Sequence, residues 1–139
     1  MTIKDLMEIR ESGRGIICLI GPNAQNVYDE MYNTHYNIPG EYRKYGIFYD
    51  EPERKVLPSD MGETYDRVCE EGKQFPNTKV VIATWSPLFL DNVEPDDIYY
   101  CGNSITKPFV DKDIVGDELD YLTPGEIWTN HDNNDLKKW

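Results

Sequence analysis

Short runs of apolar residues alternate along the chain with longer segments in which apolar residues recur at helical spacing. Gly15–Ile20 and Lys79–Ala83 are continuous enough to predict buried strands, Tyr45–Tyr49 predicts another, and Asp97–Cys101 predicts a fourth, shorter strand. Because strands that alternate with helices form crossover units, the pattern predicts a mainly parallel sheet with helices on both faces. The expected fold class is therefore a three-layer α/β domain.

Four segments between and beside these strands have the pattern of helices. The clearest begins at Pro58-Ser59, and its apolar positions recur at i, i+4, i+7, i+8, i+11 and i+14. An N-terminal helix is expected over Ile3–Glu11 and another from Ala24 to about Asn33. Glu118–Trp128 is expected to hold one or two short helices.

The length of 139 residues is that of a single domain. A chain this long buries roughly 68% of the surface that its unfolded form exposes, so its core needs no metal or disulfide. We expect one α/β domain over residues 1–128 and a loose C-terminal tail over residues 129–139.

The cysteines and the N-terminal segment favour a cytoplasmic protein. Three cysteines are an odd number without metal-ligand spacing, which is typical of a reducing compartment. Met1–Arg10 contains two acids and no apolar core, so it does not resemble a signal peptide. No apolar run approaches the roughly 20 residues of a membrane span, and we expect no membrane partner.

Charge narrows the classes of partner. The chain has 26 acidic and 14 basic residues, which gives a net charge of −12 at pH 7. Because nucleic acids and anionic lipids attract positive charge, this balance argues against direct nucleic-acid binding. It leaves open a basic protein partner, or a protein that imitates a polyanion.

Polar clusters follow three of the predicted strands at the point where each strand ends. They are Gly21–Asn26, Asp50–Glu51 and Thr84–Ser86. Ligands of parallel α/β sheets bind in the crevice at the carboxyl ends of the strands. The three clusters are therefore expected to converge on one edge of the sheet.

The same clusters resemble motifs of a known family. Gly21-Pro22-Asn23 follows the first strand, Asp50-Glu51-Pro52-Glu53 follows the second, and Ala83-Thr84-Trp85-Ser86-Pro87 ends the third. This order resembles the ATP-binding-cassette class of P-loop ATPases. The closer resemblance is to the branch of overcoming-lysogenization-defect nucleases and related defence and DNA-repair ATPases, and it covers Gly15–Asn26 and Ile47–Tyr100.

The resemblance implies a reduced P-loop core with a defined strand order. Lys79–Ala83 should lie between Gly15–Ile20 and Tyr45–Tyr49, and Asp97–Cys101 should pair on the far side of Gly15–Ile20. It also implies roles for the residues that match the motifs, with ATP and Mg²⁺ as the cofactors. Gly21, Pro22, Asn23 and Asn26 match the nucleotide-binding loop, Asp50 matches the Mg²⁺-coordinating acid, and Glu51 matches the water-orienting catalytic base.

Departures from the family pattern fall at the chemically essential positions. The lysine that reaches the phosphates aligns with Val27, the hydroxyl that holds Mg²⁺ aligns with Tyr28, and the switch histidine aligns with Trp85. The segment carrying the Ser-Gly-Gly signature is absent from the sequence. We therefore expect no bound cofactor and no measurable hydrolysis of ATP.

Each retained motif also has a plain structural explanation. Asp50 and Glu51 hold Mg²⁺ and a water, or they are solvated acids at an inherited strand end. Gly21–Asn26 cups an anion, or it is an ordinary strand-to-helix turn. Trp85 fills the space that nucleotide would occupy, or it is an exposed anchor for a partner.

The leading functional hypothesis is a catalytically inactive ATPase-like domain that binds a protein, such as a larger ATPase or nuclease of the same class. A phage-encoded inhibitor and a host regulator both fit it. The binding surface is expected around Trp85, or in the acidic segment with Asp117, Glu118 and Asp120. The alternatives are a slow or nucleotide-binding ATPase with an altered Walker A loop, and an acidic DNA mimic.

Overall fold

A parallel sheet lies at the centre of the protein. The computed structural model describes residues 1–8, 15–37, 46–73, 79–110 and 118–132. These residues form a five-stranded sheet in the order β2-β3-β1-β4-β5. The strands are β1 (Ile16–Ile20), β2 (Gly46–Asp50), β3 (Lys79–Ala83), β4 (Ile98–Cys101) and β5 (Ile105–Thr106).

Helices connect the strands and cover the sheet. They are α1 (Ile3–Glu8), α2 (Ala24–Asn37), α3 (Met61–Lys73), α4 (Pro87–Leu90) and α5 (Pro124–Asp132). Short 3-10 turns precede α3, β4 and α5, at Pro58–Asp60, Pro95–Asp97 and Glu118–Asp120. No helix of the described segments has both the length and the apolar character needed to cross a bilayer.

The predicted strand order is confirmed. Strand β3 pairs in parallel with both β1 and β2, and β4 pairs in parallel with the opposite edge of β1. Strand β5 was not predicted. It is antiparallel to β4 and only two residues long, too short to show a hydrophobic period.

Side chains alternate along the central strands and divide the core in two. One cluster lies between the sheet and the helices α3, α4 and α5, and the other lies between the sheet and the helices α1 and α2. Cys18 and Ile82 belong to the first cluster, and Leu19 and Val81 belong to the second. The mixed α/β class with a mainly parallel sheet is therefore confirmed, with helices on both faces.

Two helices extend beyond their predicted ends. Helix α2 runs four residues beyond the predicted end at Asn33, and its Tyr28 and Tyr32 rings pack edge-on against Phe48. Helix α5 runs through Asp132, four residues past the predicted domain boundary. The end of the predicted first helix, at 9–11, and most of the predicted tail, at 133–139, lie outside the described residues.

Candidate functional site

The three polar clusters meet at one edge of the sheet, as expected. Strands β1 and β3 are neighbours, and the chain leaves them on opposite sides of the sheet, toward α2 after β1 and toward α4 after β3. Such a switch point is where parallel α/β sheets form a ligand crevice. Gly21–Asn23 follows β1 and Thr84–Ser86 follows β3 at this point, Asp50 ends the neighbouring strand β2, and Glu51 follows it.

The turn after β1 is held closed by the β4–β5 hairpin. Gly21 has a φ of +99°, and a Cβ there would lie 2.9 Å from Cε2 of Tyr100, so the position favours glycine. The backbone N–H of Asn23 donates to the carbonyl oxygen of Cys101 at 2.9 Å, and its side-chain amide donates to that of Gly102 at 2.6 Å. The Asn23 donors therefore bind the protein itself.

Helix α2 begins inside the segment that a phosphate-binding loop would occupy. The Val27 N–H donates to the carbonyl oxygen of Asn23 at 3.1 Å, which makes it part of the first helical turn. The side chains of Val27 and Tyr28 are buried in the core between α2 and the sheet. The two positions that align with the phosphate-binding lysine and the Mg²⁺-binding hydroxyl thus face the core, while Pro22 and Asn26 are exposed.

Of the two acids at the end of β2, Asp50 is open to solvent and Glu51 makes local contacts. Asp50 is exposed and pairs in register with Ala83. The Glu51 N–H donates to the Ala83 carbonyl oxygen at 2.8 Å, and its carboxylate lies 3.2 Å from the Arg54 guanidinium. Within the described segments, no three or more His, Cys, Asp or Glu residues are grouped so that they could hold a metal ion.

Glu53 is a buried carboxylate at this edge, and the sequence assigned it no role. Only 9% of its surface is exposed. Its Oε1 accepts a hydrogen bond from the Thr84 hydroxyl at 2.7 Å and a longer one, at 3.4 Å, from the Trp85 N–H. Its Oε2 is buried without a hydrogen-bond partner among the described residues. Glu53 therefore links the turn after β2 to the segment after β3.

The backbone around Glu53 is shaped to turn this side chain inward. Glu51 and Lys55 both have positive φ, +49° and +63°, which is uncommon for residues other than glycine. Two tight turns follow, with the Arg54 N–H bonded to the Glu51 carbonyl oxygen and the Val56 N–H to that of Glu53. The signal in the sequence was Glu53, the third acid of Asp-Glu-Pro-Glu, whose carboxylate accepts a hydrogen bond from buried Thr84.

Trp85 lies at the surface beside the crevice, with 49% of its area exposed. Thr84 before it is buried, and Ser86 after it caps α4 by accepting a hydrogen bond from the Phe89 N–H at 3.3 Å. Leu88, three residues after Trp85, is 52% exposed. About half of the Trp85 surface is therefore open to solvent, and the two alternatives for its role stay predictions.

The described end of the acidic segment, Glu118–Asp120, directly precedes α5, which packs with α4 on one side of the sheet. Helix α5 packs on α4 so closely that a Cβ at Gly125 would collide with the carbonyl oxygen of Pro87. The Gly125 N–H also donates to Oδ1 of Asp91 at 2.8 Å. In the turn before α5, Glu118 is half-buried and Asp120 is exposed, and the predicted partner residue Asp117 lies outside the described residues.

The buried cysteines belong to the core, as their place in strands predicts. Burial raises the pKa of the Cys101 thiol to about 12, and it raises the pKa of Cys18 as well. Neither thiol ionises near neutral pH, so neither is a nucleophile.

Comparisons of the chain with protein-family models, curated proteins and solved structures gave no match. The resemblance to ATP-binding-cassette ATPases stands on the motif residues themselves.

Proposed function

We propose that this protein is a catalytically inactive ATPase-like domain that acts by binding another protein. The observation that supports the loss of catalysis most is the start of α2 at Ala24. A phosphate-binding loop offers backbone N–H groups to the nucleotide and follows them with lysine. Here the Val27 N–H bonds to Asn23, and the Asn23 N–H bonds to Cys101.

Electrostatics opposes a nucleotide at the same edge. Asp50 and Glu51 are acids, and the aligned lysine is Val27. Phosphoryl transfer depends on positioning and on positive groups that stabilise the transferred phosphoryl. Removing a single preorganised donor of this kind typically costs about 10²–10³ in kcat. Without a lysine at the aligned position, these acids leave the phosphates of ATP without the positive group that a phosphate-binding loop supplies.

The remaining chemistry of this edge suits a protein interface. Trp85 and Leu88 expose about half of their surfaces, and tryptophan is enriched among residues that dominate binding energy. The proposed partner is a larger ATPase or nuclease of the class that the motifs resemble. By docking on such a relative, the inactive domain would inhibit or regulate that relative. The domain could be encoded by a phage, as an inhibitor, or by the host, as a regulator.

Hydrolysis of ATP by the purified protein tests the loss of catalysis. We expect phosphate release from Mg-ATP no faster than in buffer alone. Glu51→Gln is the control, because it removes only the carboxylate that would orient water. Turnover above background that disappears in Glu51→Gln would refute the proposal.

A further inference from the structure

Helix α4 is the centre of one exposed face. On one side, Gly62 of α3 lies against Asn92, just beyond α4, where a Cβ would be 3.4 Å from Oδ1. On the other side, the Gly125 N–H of α5 bonds to Asp91. We define the α4 face as Gly62, Asp66, residues 85–91 and residues 118–126.

The α4 face exposes large apolar side chains. Trp85 and Leu88 are about half exposed, and Tyr121, in the turn before α5, is 72% exposed. The neighbours of Leu88 in α4, Phe89 and Leu90, are fully buried and hold the helix to the sheet. Because the buried side chains of Phe89 and Leu90 hold α4 in place, the exposed side chain of Leu88 is not needed for this packing. Leu88 is therefore available to contact a partner.

The charged side chains of the α4 face are all acidic. Asp66, one helical turn after Gly62, shares the side of α3 that borders α4. Asp91 follows α4, and Asp120 precedes α5. The sequence of residues 85–91 and 118–126 contains no lysine or arginine, and it adds two more acids at Glu118 and Glu126.

Two of the described cations, Lys55 and Arg67, belong to a different surface. Lys55 and Arg67 line a separate concave surface beside Leu57, on the other side of α3 from Gly62. Residues three and four apart share a side of a helix, which places Asp60, Glu63, Thr64 and Arg67 together on that side. Leu57, another exposed leucine of the described residues, thus has two bases and two acids beside it, whereas the charged neighbours of Leu88 on the α4 face are acids.

We propose that the α4 face binds a basic polypeptide segment of the partner protein, with an apolar side chain of that segment against Trp85 and Leu88. The inference rests on the proposed function and names the chemistry of the partner. Charge complementarity selects this occupant, because acids steer and orient a basic partner. A second copy of the chain would bring the same acids and a further charge of −12, so self-association through this face is opposed.

Synthetic peptides test both halves of the proposal. The probe is a fluorescein-labelled peptide of alternating Lys and Leu, and its two controls alternate Lys with Ser and Glu with Leu. Anisotropy titrations at low and physiological salt give the dissociation constants. We expect the Lys-Leu peptide to bind at least tenfold more tightly than either control, and its affinity to fall with salt.

Matched leucine variants locate the binding. Leu88→Ser is the decisive variant, because it removes the apolar side chain without adding a charge, whereas Leu88→Asp would add an acid that attracts lysine. We expect Leu88→Ser and Trp85→Ala each to weaken binding tenfold or more, and Leu57→Ser to change it less than twofold. Far-UV circular dichroism confirms that each exposed substitution leaves the fold intact.

Two outcomes would overturn the inference. One is equal binding of the Lys-Leu and Lys-Ser peptides, which would leave only nonspecific charge attraction. The other is a loss in Leu57→Ser as large as that in Leu88→Ser. Either result would refute the α4 face as the binding site without bearing on the absence of ATP hydrolysis. Turnover of ATP would instead refute the proposed function itself.

Discussion

Replacement of Glu53 by alanine removes the carboxylate that joins the turns after β2 and β3. Thr84 is fully buried, so its hydroxyl loses an acceptor without gaining water. A buried donor left without a partner costs about 1–3 kcal/mol. The longer bond from the Trp85 N–H adds little, and removal of the buried Oε2 offsets part of the cost. We expect the free energy of unfolding to fall by about 2 kcal/mol.

A double-mutant cycle in urea separates the hydrogen bond from the loss of packing. Thr84→Val removes the hydroxyl, so in the Glu53→Ala background it should cost less than in the native protein. The expected coupling is about 1–2 kcal/mol, as for residues that share a buried hydrogen bond. Arg54→Ala is the control, because its ion pair with Glu51 is exposed and contributes under about 1 kcal/mol. A change below about 0.5 kcal/mol in Glu53→Ala, or strict additivity, would refute the reasoning.

Three further predictions concern packing, thiol reactivity and the pH dependence of stability. Gly125→Ala should lower the free energy of unfolding by more than about 2 kcal/mol, because the added Cβ meets the Pro87 carbonyl oxygen and α4 must move. Urea denaturation measures this change, and a change within about 0.5 kcal/mol would contradict the close α4–α5 contact. Cys69 should react with a disulfide reagent at pH 8 well before the buried Cys18 and Cys101, and three equal rates would contradict their burial. Burial raises the pKa of Cys101 to about 12, so its contribution to stability is complete below the unfolded pKa of about 8.5 and is lost as the pH rises toward 12. The free energy of unfolding should therefore fall over that pH range, and it should fall less steeply in Cys101→Ala.

The sheet was predictable because its signals are local and repeated. Strands β1 and β3 are continuous apolar runs, and both are buried along their whole length. The meeting of Asp50 with Thr84 and Gly21 at one edge followed from the parallel order alone. Helix α4 was missed because it has only four residues, too few to display a period.

The candidate site was less predictable because distant contacts decide it. The amide of Asn23 bonds to Gly102, 79 positions away in the sequence, and no local pattern records that bond. A glutamate is also expected at the surface, and Glu53 is buried only because the turn after β2 brings it to Thr84. The resemblance predicts which positions depart from a phosphate-binding loop, and the start of α2 at Ala24 places two of them, Val27 and Tyr28, in a helix.

Titration of the isotope-labelled protein with Mg-ATP, followed through the backbone amide resonances of residues 21–28, tests the loss of the phosphate site most directly. The N–H groups of Asn23 and Val27 are already hydrogen-bonded within the protein, so we predict no saturable shift at millimolar nucleotide. Asp50→Ala should give the same spectra with and without Mg-ATP. Saturable shifts at these amides that require Mg²⁺ and disappear in Asp50→Ala would contradict the account.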